Sequence, residues 1–561
     1  MKHAFFLIIV FVTATSFGQQ LSTADEQYVD SIMNFYYKPD APGAVLLIAK
    51  NGQPVYRKAY GVASLELNVP NKPENVFRIG SMSKQFAAVC ILKLAQEGRL
   101  NLQDDIRKYL PDYNSHGRVI TIENILTHTS GIIDAQNKPD FLKRMRTDQS
   151  HDDLLNSFMP DSLLFEPGTD WHYSNSNYEL TGFIIEKVSG MALRDYLQQN
   201  IFQPLEMTHT YVSSDDSIFV NLVNGYDKIA GKYRPAIFLS STWEYAAGDI
   251  LSNVDDLLKW DNALYTDKIV KQEWLQKAWK PFLLKNGVSA NYGFAWSSNT
   301  LNGLQFIEHA GGINGFNSDG IHIPKQHLYI AILSNTTAWW SPAVASPIAL
   351  RISGESLPKP NSYNPDKKTL NEYTGVYALQ RGGGNTSVDT ANGQLYSYII
   401  LTNDTLFVKL PVYGKVPILP VGKDVFVTAW DNPYYRFHRD NKGKIISAQI
   451  YNQPMQTGPA EVRVKTNLPL PKEKKAIQLD IKQLALYKGK YNFGGGAIAA
   501  VTLDGDKIFM QLEDKFEILP EDETHFFFKG SDDTVEFVMT NGKVTSAIVT
   551  RGGKYEGKKV E

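Results

Sequence analysis

The strongest constraint on this 561-residue chain is that its last third contains the same module twice. Tyr373-Thr374-Gly375-Val376-Tyr377 returns as Tyr487-Lys488-Gly489-Lys490-Tyr491, and residues 404–410 return as 506–512. Leu419-Pro420, Phe437 and Gly443-Lys444 then return, in the same order, as Leu519-Pro520, Phe537 and Gly542-Lys543. Similarity that keeps its order over such a span marks a duplicated structural unit. Each copy is a series of short alternating apolar segments broken by Gly and Asn-Gly turns, without a run of helical period. Two small antiparallel β-barrels or sandwiches are expected. The first copy carries about a dozen extra residues before Asp404, among them the glycine-rich loop Arg381-Gly382-Gly383-Gly384-Asn385.

Proline- and lysine-rich stretches without hydrophobic periodicity, residues 354–368 and 468–475, read as linkers. They divide the chain into a leader at 1–18, a large domain at 19–355 and modules at 363–466 and 476–561, since a chain of this length exceeds what one core supports. Within the large domain, residues 22–37 read as a capped helix. Residues 45–48 and 55–60 flank Asn51-Gly52, a strong short hairpin signal. Helical segments such as 255–264 then mix with short apolar strands such as 328–333, so the fold class is α+β.

The leader combines Lys2, an apolar stretch from Ala4 to Val12 and small residues up to Gly18. This is the pattern of a secretory signal peptide cleaved after Gly18, and the apolar stretch is too short to span a bilayer. The mature protein is expected to be exported, to the periplasm, with no membrane span. Cys90 is the single cysteine and lies in an apolar run, so it reads as core. A net charge of -2 gives nucleic acid nothing to bind, and no His or Cys spacing resembles a metal site.

The chemistry is concentrated in three short motifs. A serine hydroxyl is a poor nucleophile near neutral pH unless a base lies within hydrogen-bond reach. Ser81 and Lys84 in Ser81-Met82-Ser83-Lys84 are three apart at the start of an apparent helix, on one face. The helix is apolar on nearly every side, and burial disfavours an ammonium relative to the free amine that accepts a proton. Spacing alone is weak evidence, because Ser356-Leu357-Pro358-Lys359 fits the same pattern inside a linker. Two companions distinguish Ser81: the single Tyr-x-Asn of the chain, Tyr173-Ser174-Asn175, and the single His-x-Gly, His309-Ala310-Gly311.

In this order the three motifs resemble those of penicillin-binding proteins, class C β-lactamases and D-amino-acid-specific peptidases. Phe77-Arg78-Ile79-Gly80, Leu126-Thr127-His128-Thr129-Ser130-Gly131, Pro167-Gly168 and Ala247-Gly248-Asp249 look like the same family, over roughly residues 40–345. The resemblance implies a β-lactamase/transpeptidase-like catalytic domain, an antiparallel sheet beside a helical region, working without a cofactor. It makes Ser81 the acyl-forming nucleophile, Lys84 its activator and Tyr173 the proton relay to the leaving group. Asn175 would hold a substrate amide, and the N–H groups of Ser81 and Gly312 would form the oxyanion hole. A catalytic domain followed by two such modules also looks like bacterial D-aminopeptidases, which makes the modules lipocalin-like. They would restrict access to the cleft, with the residue 381–385 loop as gate, or else bind cell-wall material or shield the domain.

One position departs from the pattern. Penicillin-recognising enzymes carry lysine where His309 stands, and a neutral imidazole anchors a substrate carboxylate poorly. The expectation is a secreted hydrolase of small peptides, amides or esters, D-amino-acid-containing ones among the candidates. The alternatives are a β-lactamase or D-alanyl-D-alanine carboxypeptidase, and a binding or sensor protein that is acylated without turnover. His128 is expected to be structural, and His172 to face away from Tyr173.

Overall fold

A computed structural model describes residues 20–560 apart from 139–140, 158, 160–161, 230, 286, 288, 302–303, 356–360, 380–395, 411–413, 429–433, 452–460, 471–474, 495–496, 512–514, 530–532 and 551–553. The expected leader at 1–18 and the loop at 381–385 lie outside the described residues. The chain divides into two units, one ending at Ser356 and one beginning at Leu357. Among the described residues no helix is long and apolar enough to cross a membrane.

The elements of the first unit that position the site are, in chain order, α1 (Thr23–Tyr36), β1 (Ala44–Lys50), β2 (Gln53–Tyr60), α2 (Ser83–Gln96), α3 (Asn175–Ser189), α4 (Ser241–Gly248), α5 (Val254–Ala263), β3 (Ser297–Leu301), β4 (Leu304–Ile313), β5 (Phe316–Ile323), β6 (Leu328–Ser334) and α6 (Ser341–Ser353). Helix α1 starts where Ser22 Oγ accepts from the Asp25 N–H at 3.1 Å. Asn51 and Gly52 join β1 to β2 with φ of 52° and 74°, the left-handed pair that a tight hairpin turn needs.

Six antiparallel strands form one sheet in the order β3-β4-β5-β6-β1-β2. Ala44 of β1 pairs with Ser334 of β6 and Lys50 with Leu328, so the first strand of the unit closes on its last. Ala44 to Ala49 are buried without alternation, as happens when both faces of a sheet are covered. Helix α2 runs through the helical half of the unit. It buries residues on every side, Lys84 included, and Cys90 lies in the same core.

The second unit contains two closed barrels, each of eight antiparallel strands. One runs from Gly375–Leu379 to Glu461–Lys465, the other from Gly489–Asn492 to Lys554–Lys559. The repeated tyrosines make the same bond in each. Tyr377 Oη donates to the Tyr373 carbonyl at 2.7 Å, and Tyr491 Oη to the Tyr487 carbonyl at 2.6 Å. Tyr373 packs edge-on against Phe426 and tilts over Phe437, both at 4.8 Å, and Tyr487 meets Phe526 at 4.9 Å and Phe537 at 4.8 Å. A short capped helix stands in front of each barrel, Lys367–Tyr373 behind Asp366 and Ile481–Ala485 behind Asp480. The first begins inside the stretch that composition marks as linker.

Candidate active site

Ser81 sits in the 3₁₀ turn Gly80–Met82 that leads into α2. Two glycines of β4 allow that turn to lie directly on the sheet. A Cβ on Gly311 would fall 2.0 Å from the Ile79 carbonyl oxygen and 2.3 Å from Ser318 Oγ, and Ser318 Oγ itself donates to Ile79 O at 2.7 Å. Gly80 has φ of 51°, and a Cβ there would stand 3.0 Å from the Gly312 nitrogen. The backbone just before the serine and the backbone of Gly312 are therefore in contact.

Lys84 lies one turn on and is completely buried. Its Nζ makes three hydrogen bonds, to Ser81 Oγ at 3.0 Å, Asn175 Oδ1 at 2.8 Å and the Ala247 carbonyl at 2.7 Å. Each acceptor comes from a different element. Ser83 Oγ accepts from the Ile250 N–H at 3.0 Å and pins the start of α2 to the chain just past α4. Asn175 is the first residue of α3, and its Nδ2 and backbone N–H both donate to Asp134 Oδ2 at 3.0 Å.

Tyr173 lies two residues ahead of α3, half-buried. Lys84 Nζ is 5.0 Å from its ring centre. The ring also lies 4.3 Å from His128 and 6.4 Å from both Tyr292 and His309. His128 is wholly buried, and its Nδ1 accepts from the Ser174 N–H at 3.2 Å, so it holds the turn that presents Tyr173. Burial, then the nearby Lys84 charge, pushes its pKa well below the usual imidazole value. It is neutral. His172 is exposed.

His309 is buried on β4. Its Nε2 meets Tyr292 Oη at 2.7 Å and its Nδ1 meets the Ala310 carbonyl at 2.6 Å. A carbonyl only accepts, so Nδ1 carries the hydrogen and Nε2 accepts from the tyrosine. Burial first, and Lys84 second, pull the imidazole down to about 3. The position that carries a cation in penicillin-recognising enzymes is thus occupied here by an uncharged ring.

Four acids lie in this part of the core: Asp134 holds Asn175, Glu179 and Glu244 feel the Lys84 charge, and Asp249 stands 3.7 Å from Arg78. Asp134, Glu179 of α3, Glu244 of α4 and Asp249 are all buried. Burial raises Glu179 and Asp249 well above the usual carboxylate range and raises Glu244 as well, with neighbouring acids adding to the shift of each. Sequence reasoning missed Asp134, Gln136, Glu244 and Tyr292, and named Ala247 within a family-like segment without giving it a role. Ala247 acts through its carbonyl, which every residue type possesses. The structure brings together Ser81, Lys84 and Asn175 by direct hydrogen bonds, and places Tyr173, His309 and Gly312 around them.

Residues 26–352 match the beta-lactamase family model. The chain belongs to that family. The remainder of this family member carries a second match at residues 473–559, to a domain of unknown function, DUF3471, over the second barrel. Protein flp of Staphylococcus aureus is 29% identical over 361 residues, which cover 63% of this chain and 70% of that protein. Penicillin-binding protein 4* of Bacillus subtilis is 28% identical, covering 63% of this chain and 82% of that protein. Among solved structures, a D-stereospecific amidohydrolase from Streptomyces is 26% identical with a TM-score of 0.51, covering 59% of this chain and 99% of its own. An octameric penicillin-binding protein homologue from Pyrococcus abyssi, 22% identical, shares the fold with a TM-score of 0.54 over 79% of this chain and 99% of its own.

Proposed function

We propose that this family member is an exported, periplasmic serine hydrolase that cleaves small amides, esters or short peptides through an acyl-enzyme on Ser81. The observation that carries the reading is the buried Lys84 Nζ at 3.0 Å from Ser81 Oγ, with the Gly312 backbone beside it. At rest Lys84 Nζ donates to all three neighbours, Ser81 Oγ included; once it has given up one hydrogen, two hydrogens and a lone pair remain. Asn175 Oδ1 and Ala247 O would then take those hydrogens, and the lone pair would face the serine.

In the proposed reaction Ser81 Oγ adds to the substrate carbonyl as its proton passes to Lys84 Nζ. The N–H groups of Ser81 and Gly312 receive the developing oxyanion, where preorganised donors are worth about a hundredfold or more in rate. Tyr173 delivers the proton to the leaving nitrogen or oxygen as the scissile bond breaks. Water then adds to the ester as its proton passes to the Tyr173 phenolate, and Ser81 recovers its proton from Lys84 as the acid departs, which restores both groups. Asn175 keeps one Nδ2 hydrogen for a substrate amide while the other serves Asp134.

The neutral, hydrogen-bonded His309 favours substrates without a carboxylate to anchor. The likeness to the D-stereospecific amidohydrolase favours D-aminoacyl amides among them. The likeness to Penicillin-binding protein 4* supports a second reading, in which β-lactams acylate Ser81 and leave slowly or not at all. A panel of D-aminoacyl amides, p-nitrophenyl esters and a chromogenic cephalosporin, run beside Ser81→Ala, separates the two. Repeated turnover of amides or esters with little cephalosporin hydrolysis is the expected result. Turnover that survives Ser81→Ala would overturn the mechanism.

A further inference from the structure

We propose that Asp134 is a positioning residue for this reaction, fixing which end of the Asn175 amide faces Lys84. The inference rests on the hydrolase reading above. An asparagine amide has two ends of nearly equal shape and opposite chemistry, one accepting and one donating. Here the accepting end, Oδ1, takes a hydrogen from Lys84 Nζ at 2.8 Å, and the donating end, Nδ2, gives one to Asp134 Oδ2 at 3.0 Å. The same Oδ2 accepts the Asn175 backbone N–H at 3.0 Å. A turned amide would set Oδ1 against a carboxylate oxygen, two acceptors without a hydrogen between them. It would also aim Nδ2 hydrogens at the lone pair that Ser81 requires.

Asp134 is itself held in place. It is buried, and its Oδ1 caps the 3₁₀ turn Ala135–Asn137 by accepting from the Gln136 N–H at 2.9 Å. The adjoining Ala135 N–H donates to Ser176 Oγ at 3.0 Å, which ties the turn to α3 next to Asn175. Gln136 Nε2 donates to Glu244 Oε1 at 3.1 Å, on the helix whose Ala247 carbonyl is the other acceptor of Lys84. The bonds form a closed circuit, lysine to Asn175, Asp134, Gln136, Glu244 and, through α4, back to the lysine. Two of the three groups around Nζ are thereby set by one network, whose negative anchor is Asp134.

The test compares wild type with Asp134→Ser, Asp134→Asn, Asn175→Ala, the Asp134→Ser/Asn175→Ala double variant, Ser176→Ala and Ser81→Ala. Serine at 134 keeps a cap for the turn but is too short to hold the amide, so it separates orientation from folding. The readouts are the rate of covalent labelling by a fluorophosphonate, kcat and KM for p-nitrophenyl acetate, and the melting temperature. Asp134→Ser is expected to lower kcat and the labelling rate about a hundredfold, the scale of a small misplacement at a reacting centre, with KM within about threefold. Asp134→Asn, whose own amide oxygen can still face Nδ2, stays within about tenfold of wild type. Ser176→Ala lowers the melting temperature while kcat holds. In the Asn175→Ala background Asp134→Ser adds nothing, because it acts through Asn175. Overturning results are a kcat for Asp134→Ser within threefold of wild type, an equal loss in Asp134→Asn, a kcat loss in Ser176→Ala as large as in Asp134→Ser, or a full additional loss in the double variant. Labelling that persists in Ser81→Ala sinks the hydrolase reading itself, whatever the Asp134 variants do.

Discussion

The barrels and the catalytic domain differ in how densely they gather buried polar groups. Each barrel solves one problem once and repeats the answer: a tyrosine hydroxyl donates to the carbonyl of the tyrosine four residues earlier, beneath a pair of phenylalanines. Single hydroxyls such as Thr428 Oγ1 and Thr502 Oγ1 are buried without a hydrogen-bond partner in the barrels, but around Ser81 such atoms gather, with His128 Nε2, Ser174 Oγ and Glu179 Oε2 among the described residues. Tyr245, two residues before the carbonyl that holds Lys84, is forced to φ of 39° and ψ of -124° inside α4. Orphaned polar groups and strained backbone are costly, and they persist where the surrounding structure overdetermines them. The difference teaches that one part of this chain is shaped for stability and the other for holding a lysine beside a serine.

Three measurements press on that contrast. The largest effect is expected from Lys84→Met, which fills the lysine's apolar volume but removes its nitrogen. Acylation of Ser81 should fall about a thousandfold or more, since base and nucleophile act as one unit. The loss also leaves Asn175 Oδ1 and Ala247 O unpaired, a cost of roughly 1–3 kcal/mol each, visible as a lower melting temperature. A variant that still labels at the wild-type rate would remove the lysine from the mechanism.

Acid should come next. His309 is held at about 3 in the fold against 6.5 as the reference value, and His128 is depressed in the same direction. Between those values the unfolded chain binds more protons at these two histidines than the folded one, so their contribution to stability is lost as the pH falls from about 6.5 towards 3. The raised Glu179, Glu244 and Asp249 act in the opposite sense. The described histidines of the barrels, His438 and His525, are exposed rather than buried in a core. Hydrogen exchange followed from pH 7 to pH 4.5 should therefore show β4 losing protection before the barrel strands do. Barrels that open first would break the comparison.

The smallest effect belongs to Tyr377→Phe and Tyr491→Phe, each removing one neutral hydrogen bond. Both should cost about 1 kcal/mol of barrel stability by denaturant titration and leave ester turnover unchanged. Unequal costs would mean that the two copies no longer share one solution.

Much of this was written in the sequence. Asn51-Gly52 announced its hairpin because that turn demands positive φ at both residues, and the uniform apolarity of residues 86–92 announced a buried helix. The duplicated tyrosines announced two barrels alike. The short helices before the barrels were not read from the sequence, although Asp480 followed three residues later by Gln483 forms a capping box with both of its bonds. Asp134 and Ala247 were not legible. One contributes a common side chain at an unremarkable distance from any motif, and the other a backbone carbonyl that no side chain advertises. Their roles arise from where α3 and α4 meet α2, a relation that one sequence does not spell out.

The pairing of β1 with β6 also governs when this protein can come into being. The first hairpin has no complete neighbour until the chain has been made through Ser334, and contacts so distant in sequence form slowly. A ribosome that stops short of β6 leaves the six-stranded sheet without its middle. Each barrel makes its strand pairings within its own stretch of chain, Gly375 to Lys465 or Gly489 to Lys559, far shorter than the separation of β1 from β6. The catalytic domain thus waits longest for its completion, and the modules made after it face no comparable delay.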